Sequence, residues 1–120
     1  MARVMIVDDE TELLALYSEM LTVFGHEIIA AVTNGEEAIK KYEELKTKPD
    51  LIILDHRMPI RNGLETAAEI LSQDPDEKII FISADSSIRK AALDIGAIDF
   101  LEKPFVLKSL RDSVQRALSA

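Results

Sequence analysis

The stretch that decides the fold is LIILDHRMP, residues 51–59. Four branched aliphatic residues run straight into Asp55, and a basic pair, a Met and a Pro follow at once. A short, continuous apolar run is the pattern of a strand covered on both faces, as in a parallel sheet. A carboxylate that ends such a strand stands at the sheet's edge. Its meaning therefore depends on what else reaches that edge.

Four more runs share the pattern: RVMIV at 3–7, EIIAAV at 27–32, KIIFIS at 78–83 and AIDFL at 97–101. The segments between them carry helical spacing. The first holds Leu13, Leu16, Tyr17, Met20, Leu21 and Phe24, with Gly25 as its C′ stop. The second follows Asn34-Gly35, with Glu36 and Glu37 suited to a helix N-terminus and Ala38, Ile39, Tyr42 and Leu45 on its apolar face. The third shows Leu64, Ala67, Ala68 and Leu71, and Asn62 and Glu65 are spaced as a capping box. A short fourth helix is predicted near 86–94. The fifth is predicted to open at Pro104, as an N1 proline, and to run through Leu107, Leu110, Val114 and Leu118. Strict alternation of strand and helix predicts an α/β fold, a doubly wound (βα)5 parallel sheet. With right-handed crossovers, the flavodoxin-like strand order 2-1-3-4-5 is the expected topology.

At 120 residues the chain is read as one domain, 1–120, able to bury a core of its own. Its 22 acidic and 14 basic residues leave a formal charge of −8, the wrong sign for gripping nucleic acid. That balance suits a protein that binds a cation or a basic partner, or simply stays in solution. With no cysteine, thiolate nucleophiles, disulfides and Cys-ligated metal sites are excluded. No apolar run is long enough for a signal peptide or a membrane span, so a cytoplasmic protein is expected.

In a parallel sheet every strand's carboxyl end lies on one side. The first strand ends at Asp8-Asp9-Glu10, the third at Asp55, the fourth at Ser83 and the fifth just before Lys103. Strands one and three flank the topological switch point, where such sheets bind ligands. Crowded carboxylates share protons or recruit a cation, and an all-oxygen donor set suits Mg²⁺ or Mn²⁺ better than zinc. Taken alone, Asp8-Asp9 reads equally well as a helix cap. Its company at the edge favours a site.

The motifs VDDE at 7–10, LDHRMPIRNG at 54–63, SA at 83–84 and GAIDFLEKPF at 96–105 stand in order across the chain. In these the chain resembles the receiver domains of two-component response regulators, similar to the stand-alone chemotaxis regulators. The resemblance implies that Asp55 accepts a phosphoryl group from a histidine kinase or phosphotransfer protein. It implies that Asp9, Asp55 and the Arg57 backbone carbonyl ligate Mg²⁺, with Asp8 acting through water and Glu10 assisting. Lys103 would pair with Asp55 and then with a phosphoryl oxygen, beside a Lys103–Pro104 peptide that is often cis in the family. Ser83 would hydrogen-bond the phosphoryl group, and Phe100 would fill the space its loop vacates.

Two departures stand out against the family pattern. Phe100 replaces the common tyrosine and has no hydroxyl to anchor either rotamer, which loosens the coupling; an ordinary core Phe is the competing reading. Arg57 and Asp85 occupy the two positions flanking the attacking water, where their opposite charges would pair and slow autodephosphorylation. His26 and His56 have no second histidine at ligand spacing and are expected to face solvent, while Gly63 is expected to serve backbone geometry.

The chain ends soon after the fifth helix. Output is therefore expected through a partner protein on the face of helix four, strand five and helix five, which carries Arg89, Lys90, Asp99, Lys108, Arg111 and Arg116. Asp99 fits the salt-bridge set of dimeric transcription factors, whereas Ser109, Ser113 and Gln115 do not. A receiver cut from a longer chain fits equally well. Two other functions compete with this reading. A haloacid-dehalogenase-like phosphatase would match DDET at 8–11 but wants a second acidic pair after the fourth strand, where this chain has Ser83-Ala84-Asp85. A phosphorylation-independent pseudo-receiver would usually lose an acidic-pocket residue or the lysine, and both are kept.

Overall fold

A computed structural model describes residues 1–119. Five strands alternate with five helices: β1 (Arg3–Val7), α1 (Thr11–Val23), β2 (Glu27–Val32), α2 (Gly35–Glu44), β3 (Leu51–Asp55), α3 (Gly63–Gln73), β4 (Ile79–Ser83), α4 (Arg89–Asp94), β5 (Asp99–Glu102) and α5 (Leu107–Ser119). A 3₁₀ turn, Ser86–Ile88, leads into α4. The strands form one parallel sheet in the order β2-β1-β3-β4-β5, the expected topology.

The central strands β1, β3 and β4 read as continuous apolar runs because both of their faces are covered. Met5, Val7, Ile52, Leu54, Ile79 and Phe81 pack with Ala38, Tyr42, Ala67, Ile70 and Ala92 of α2, α3 and α4. Val4, Ile6, Leu51, Ile53, Ile80 and Ile82 pack with α1 and α5 through Leu14, Tyr17, Leu21, Leu110, Val114 and Ala117. Residue by residue, alternation sends each strand's side chains to opposite layers.

Local signals fix three helix ends, two of them as read from the sequence, at Gly25 and at Asn62 with Glu65. Asn34 caps α2 by accepting from the Glu37 amide at 2.8 Å. Asn62 and Glu65 form the reciprocal capping box of α3. Gly25 takes a φ of 92° just past α1, a conformation in which glycine costs nothing.

Several boundaries differ. The fifth helix begins at Leu107, so Pro104 lies in the preceding loop and is not an N1 proline. Both positions tolerate a residue with fixed φ and no N–H, which is why sequence could not separate them. The fifth strand begins at Asp99, because the Ala97 amide is taken by Ala92 O at 3.1 Å to close α4. On the helix faces, Leu16, Ala68 and Leu107 are exposed, whereas Leu14 and Ile70 are buried. The α1 contact stripe runs Leu14, Tyr17, Leu21, and Leu16 falls beside it.

Candidate functional site

Sheet register brings the polar strand ends together. Val7 pairs with Leu54, Asp55 with Ile82, and Ser83 with Glu102, so Asp8, Asp55, Ser83 and Lys103 each emerge at the carboxyl edge. Asp8, Asp55 and Ser83 are buried. The Lys103 amide donates to Ser83 O at 2.9 Å, which ties the lysine's backbone to the end of β4. The Lys103–Pro104 peptide is cis.

From there the Lys103 ammonium reaches two carboxylates, Asp8 Oδ2 at 3.2 Å and Asp55 Oδ1 at 3.2 Å. Asp8 Oδ1 accepts from the Glu10 amide at 2.9 Å. Asp8 is therefore both a turn residue at the start of α1 and a member of the charged site. The N-cap position itself belongs to Glu10, whose side chain caps nothing.

The electrostatics follow from this burial. Asp55 is pushed up to about 6, first by burial and then by Asp8, against the opposing pull of Lys103. Burial works against the Lys103 charge, but Asp55 and Asp8 outweigh it and hold the ammonium above its ordinary range. The pocket encloses about 370 Å³ and is lined by Asp9, Glu10, Asp55, Arg57, Ser83 and Lys103, among others. Carboxylate oxygens of Asp8, Asp9 and Glu10 lie within 4.8 Å of one another, an all-oxygen group able to hold a metal ion. Asp55 stands outside that tight three and is linked to it through Lys103.

Gly63 acts by close approach. A Cβ there would meet Asp55 O at 2.6 Å and His56 Cα at 2.7 Å, so the start of α3 packs directly against the backbone that carries Asp55. Its φ is not in the positive range, so the expected need for special backbone geometry is replaced by a need for space. The same loop holds Ile60 at a φ of 71°, a strained conformation for a β-branched residue.

Around the mouth, Arg57 Nη2 lies 3.5 Å from Asp85 Oδ2. The other Asp85 oxygen accepts from the Ser87 amide and hydroxyl, and these bonds lead in holding the carboxyl below its usual range. Ser83 Oγ accepts from the Asp85 amide at 3.0 Å. Phe100 is buried in the core, with the Arg89 guanidinium 5.7 Å from its ring centroid and Arg89 Nη1 3.4 Å from its carbonyl oxygen. On the face of α4, β5 and α5, Asp99 is satisfied within the chain by Ser113 Oγ at 2.6 Å and Arg116 Nη2 at 3.0 Å.

The two histidines do not face solvent as expected. Each is partly buried, and His26 Nδ1 accepts from the Ala2 amide while His56 Nδ1 accepts from that of Leu64. Sequence reasoning placed Arg89 on the face of α4, β5 and α5 but missed its contact with Phe100, and read Tyr17 only as part of an apolar face. No local signal marks either, because each acts on an element distant in the chain.

The model of the response regulator receiver domain family matches residues 4–115. The chain belongs to that family. This receiver domain is 41% identical over 105 residues to the chemotaxis protein CheY of Thermotoga maritima, covering 86% of each chain. Among solved structures it is similar to the T. maritima response regulator TrrA in complex with Mg²⁺ and beryllofluoride, at 39% identity and a TM-score of 0.88, covering 98% of this chain and 100% of that one. It is also similar to the CheX–CheY–BeF3–Mg complex from Borrelia burgdorferi, at 30% identity and a TM-score of 0.90, covering 95% of this chain and 87% of that one. Among the described residues, no helix is long and apolar enough to cross a membrane.

Proposed function

We propose that this receiver domain, over residues 1–120, accepts a phosphoryl group on Asp55 from a histidine kinase or phosphotransfer protein. The observation that carries the reading is the Lys103 ammonium bridging Asp8 and Asp55 at 3.2 Å to each. An Asp55 carboxylate oxygen attacks the phosphorus of a phosphohistidine in line. The O–P bond forms as the P–N bond breaks, and the imidazole leaves with the electron pair. The nucleophile must be ionised, so the Lys103 charge favours the reactive form of a carboxyl that burial otherwise holds protonated.

Catalysis here is positioning and charge neutralisation. Lys103 follows the transferred group from the carboxylate to a phosphoryl oxygen, and the Ser83 hydroxyl donates to another. The carboxylate set fits Mg²⁺ or Mn²⁺: Asp9, Asp55 and the Arg57 carbonyl would hold the ion, Asp8 through water, with Glu10 close by. When bound, the ion supplies positive charge opposite the phosphoryl oxygens. The product is an acyl phosphate that water later hydrolyses, so the chain is a phosphoacceptor rather than an enzyme acting on a separate substrate. Ser83 and Phe100 then communicate phosphorylation to a partner protein at the α4–β5–α5 face. That Asp99 is already paired with Ser113 and Arg116 speaks against the transcription-factor dimer there.

The test is intact-mass measurement after incubation with Mg²⁺ and phosphoramidate or acetyl phosphate. A base-labile phosphoryl adduct, present in the native protein and absent in Asp55→Asn, supports the reading. Labelling that survives Asp55→Asn refutes it.

A further inference from the structure

The Lys103 side chain is a flexible four-carbon stem, yet its ammonium must be held between two carboxylates. It is followed by a loop, since α5 begins only at Leu107. Two residues beyond it, the Phe105 ring stacks on Tyr17 of α1, with centroids 6.0 Å apart and planes 25° from parallel. Tyr17 is only 3% exposed, in the layer where α1 and α5 cover the sheet. Tyr17, Lys103 and Phe105 line one apolar groove of about 410 Å³, and it shares Lys103 and Ala84 with the Asp55 pocket.

We propose that Tyr17 is a positioning residue for Lys103: its ring, stacked on Phe105, walls the lysine stem so that the ammonium stays between Asp8 and Asp55. The assignment rests on the phosphoacceptor reading of Asp55. Burial, first among the causes, pushes the Tyr17 hydroxyl up to about 12, so it stays a neutral phenol. It lines a groove with Lys103, which also lines the Asp55 pocket, so it stands beside the site and not merely within the core. A neutral ring can wall the stem without competing for the ammonium. The aromatic face therefore matters more than the hydroxyl.

The test combines phosphorylation rate with side-chain mobility. With phosphoramidate and Mg²⁺, Tyr17→Leu and Phe105→Leu should each slow adduct formation about tenfold, part of the roughly hundredfold loss that a full ångström's displacement of a catalytic group can cause. Tyr17→Phe should stay within about twofold, because it keeps the ring. In a Lys103→Ala background, Tyr17→Leu should slow the reaction no further, which a merely structural role would not produce. NMR relaxation of the Lys103 ε-carbon reads the positioning without any phosphoryl transfer: restricted in the native protein and Tyr17→Phe, mobile in either leucine variant. The proposal is overturned if both leucine variants label at the native rate, if Tyr17→Leu slows Lys103→Ala by its full factor, or if Lys103 mobility does not change. A native protein that takes no label, with Lys103 mobility responding as stated, would overturn the phosphoacceptor reading and leave the positioning role standing.

Discussion

Arg57 and Asp85 meet across the mouth of the Asp55 pocket, Nη2 to Oδ2 at 3.5 Å. Asp85 is fixed from behind by Ser87, whereas the Arg57 side chain is 75% exposed. Water attacking an Asp55 acyl phosphate would have to pass this pair. Exposure keeps the pair weak, so the effect is a modest brake. Arg57→Ala is expected to speed loss of the phosphoryl group about two- to fivefold, the range open to an exposed ion pair. The decay of the adduct after donor removal measures this, and an unchanged half-life would contradict it.

The Asp55 carboxyl carries a pH signature. Its value rises from 3.8 in an ordinary carboxyl to about 6 in the metal-free fold, with burial first and Asp8 next. A raised value means that the folded state holds its proton longer than the unfolded chain. Asp55's contribution to stability is thus complete below about pH 4 and is lost as pH rises through 6. Asp55→Asn removes that loss and should stabilise the metal-free protein at pH 7, by up to about 3 kcal/mol for a shift of this size. Urea unfolding at pH 4 and pH 7 tests this. Equal stabilisation at both would contradict it.

A second titration lies at the opposite end of the sheet. Glu77 is 8% exposed; its Oε2 accepts from the Lys78 amide at 3.0 Å while Oε1 has no hydrogen-bond partner. Burial, reinforced by Asp74 and Asp50, outweighs the bond from the Lys78 amide and pushes the carboxyl up to about 7. By the same sign, stability falls as pH rises from 4.5 through 7. Glu77→Gln should flatten that part of the stability–pH curve without altering the rate of phosphorylation. An unchanged slope would show that Glu77 titrates as an ordinary carboxyl.

Phe100 joins the core to α4. Its ring is 4% exposed and lies beneath the Arg89 guanidinium at the start of α4. Phe100→Ala should destabilise the fold by about 3 kcal/mol, as loss of a buried aromatic does. It should also shrink the beryllofluoride-induced NMR shifts along α4, β5 and α5. Shifts of full size in the variant would reduce Phe100 to a packing residue.

Most of the site was legible because it is made of strand ends. Once β1, β3, β4 and β5 are placed in a parallel sheet, Asp8, Asp55, Ser83 and Lys103 must share an edge. Lateral contacts were not legible, since they depend on how distant elements pack. Arg89 meets Phe100 from across the α4–β5 connection, and Tyr17 meets Phe105 from the far end of the chain. His26 and His56 were misjudged for the same reason: each accepts a hydrogen bond from a backbone amide that only the fold supplies. Leu16 and Leu14 are equally apolar, and which one is buried depends on a rotation of α1 that periodicity alone leaves open.

The most direct measurement is to locate the phosphoryl group. Borohydride reduces an aspartyl phosphate to homoserine, so treating the phosphorylated protein and sequencing its peptides by mass spectrometry reads the acceptor's position. The account predicts homoserine at position 55 and none in the Lys103→Ala protein beyond a much reduced amount. Homoserine at position 8 or 9 in place of 55, or a phosphoryl adduct that yields none, would contradict it.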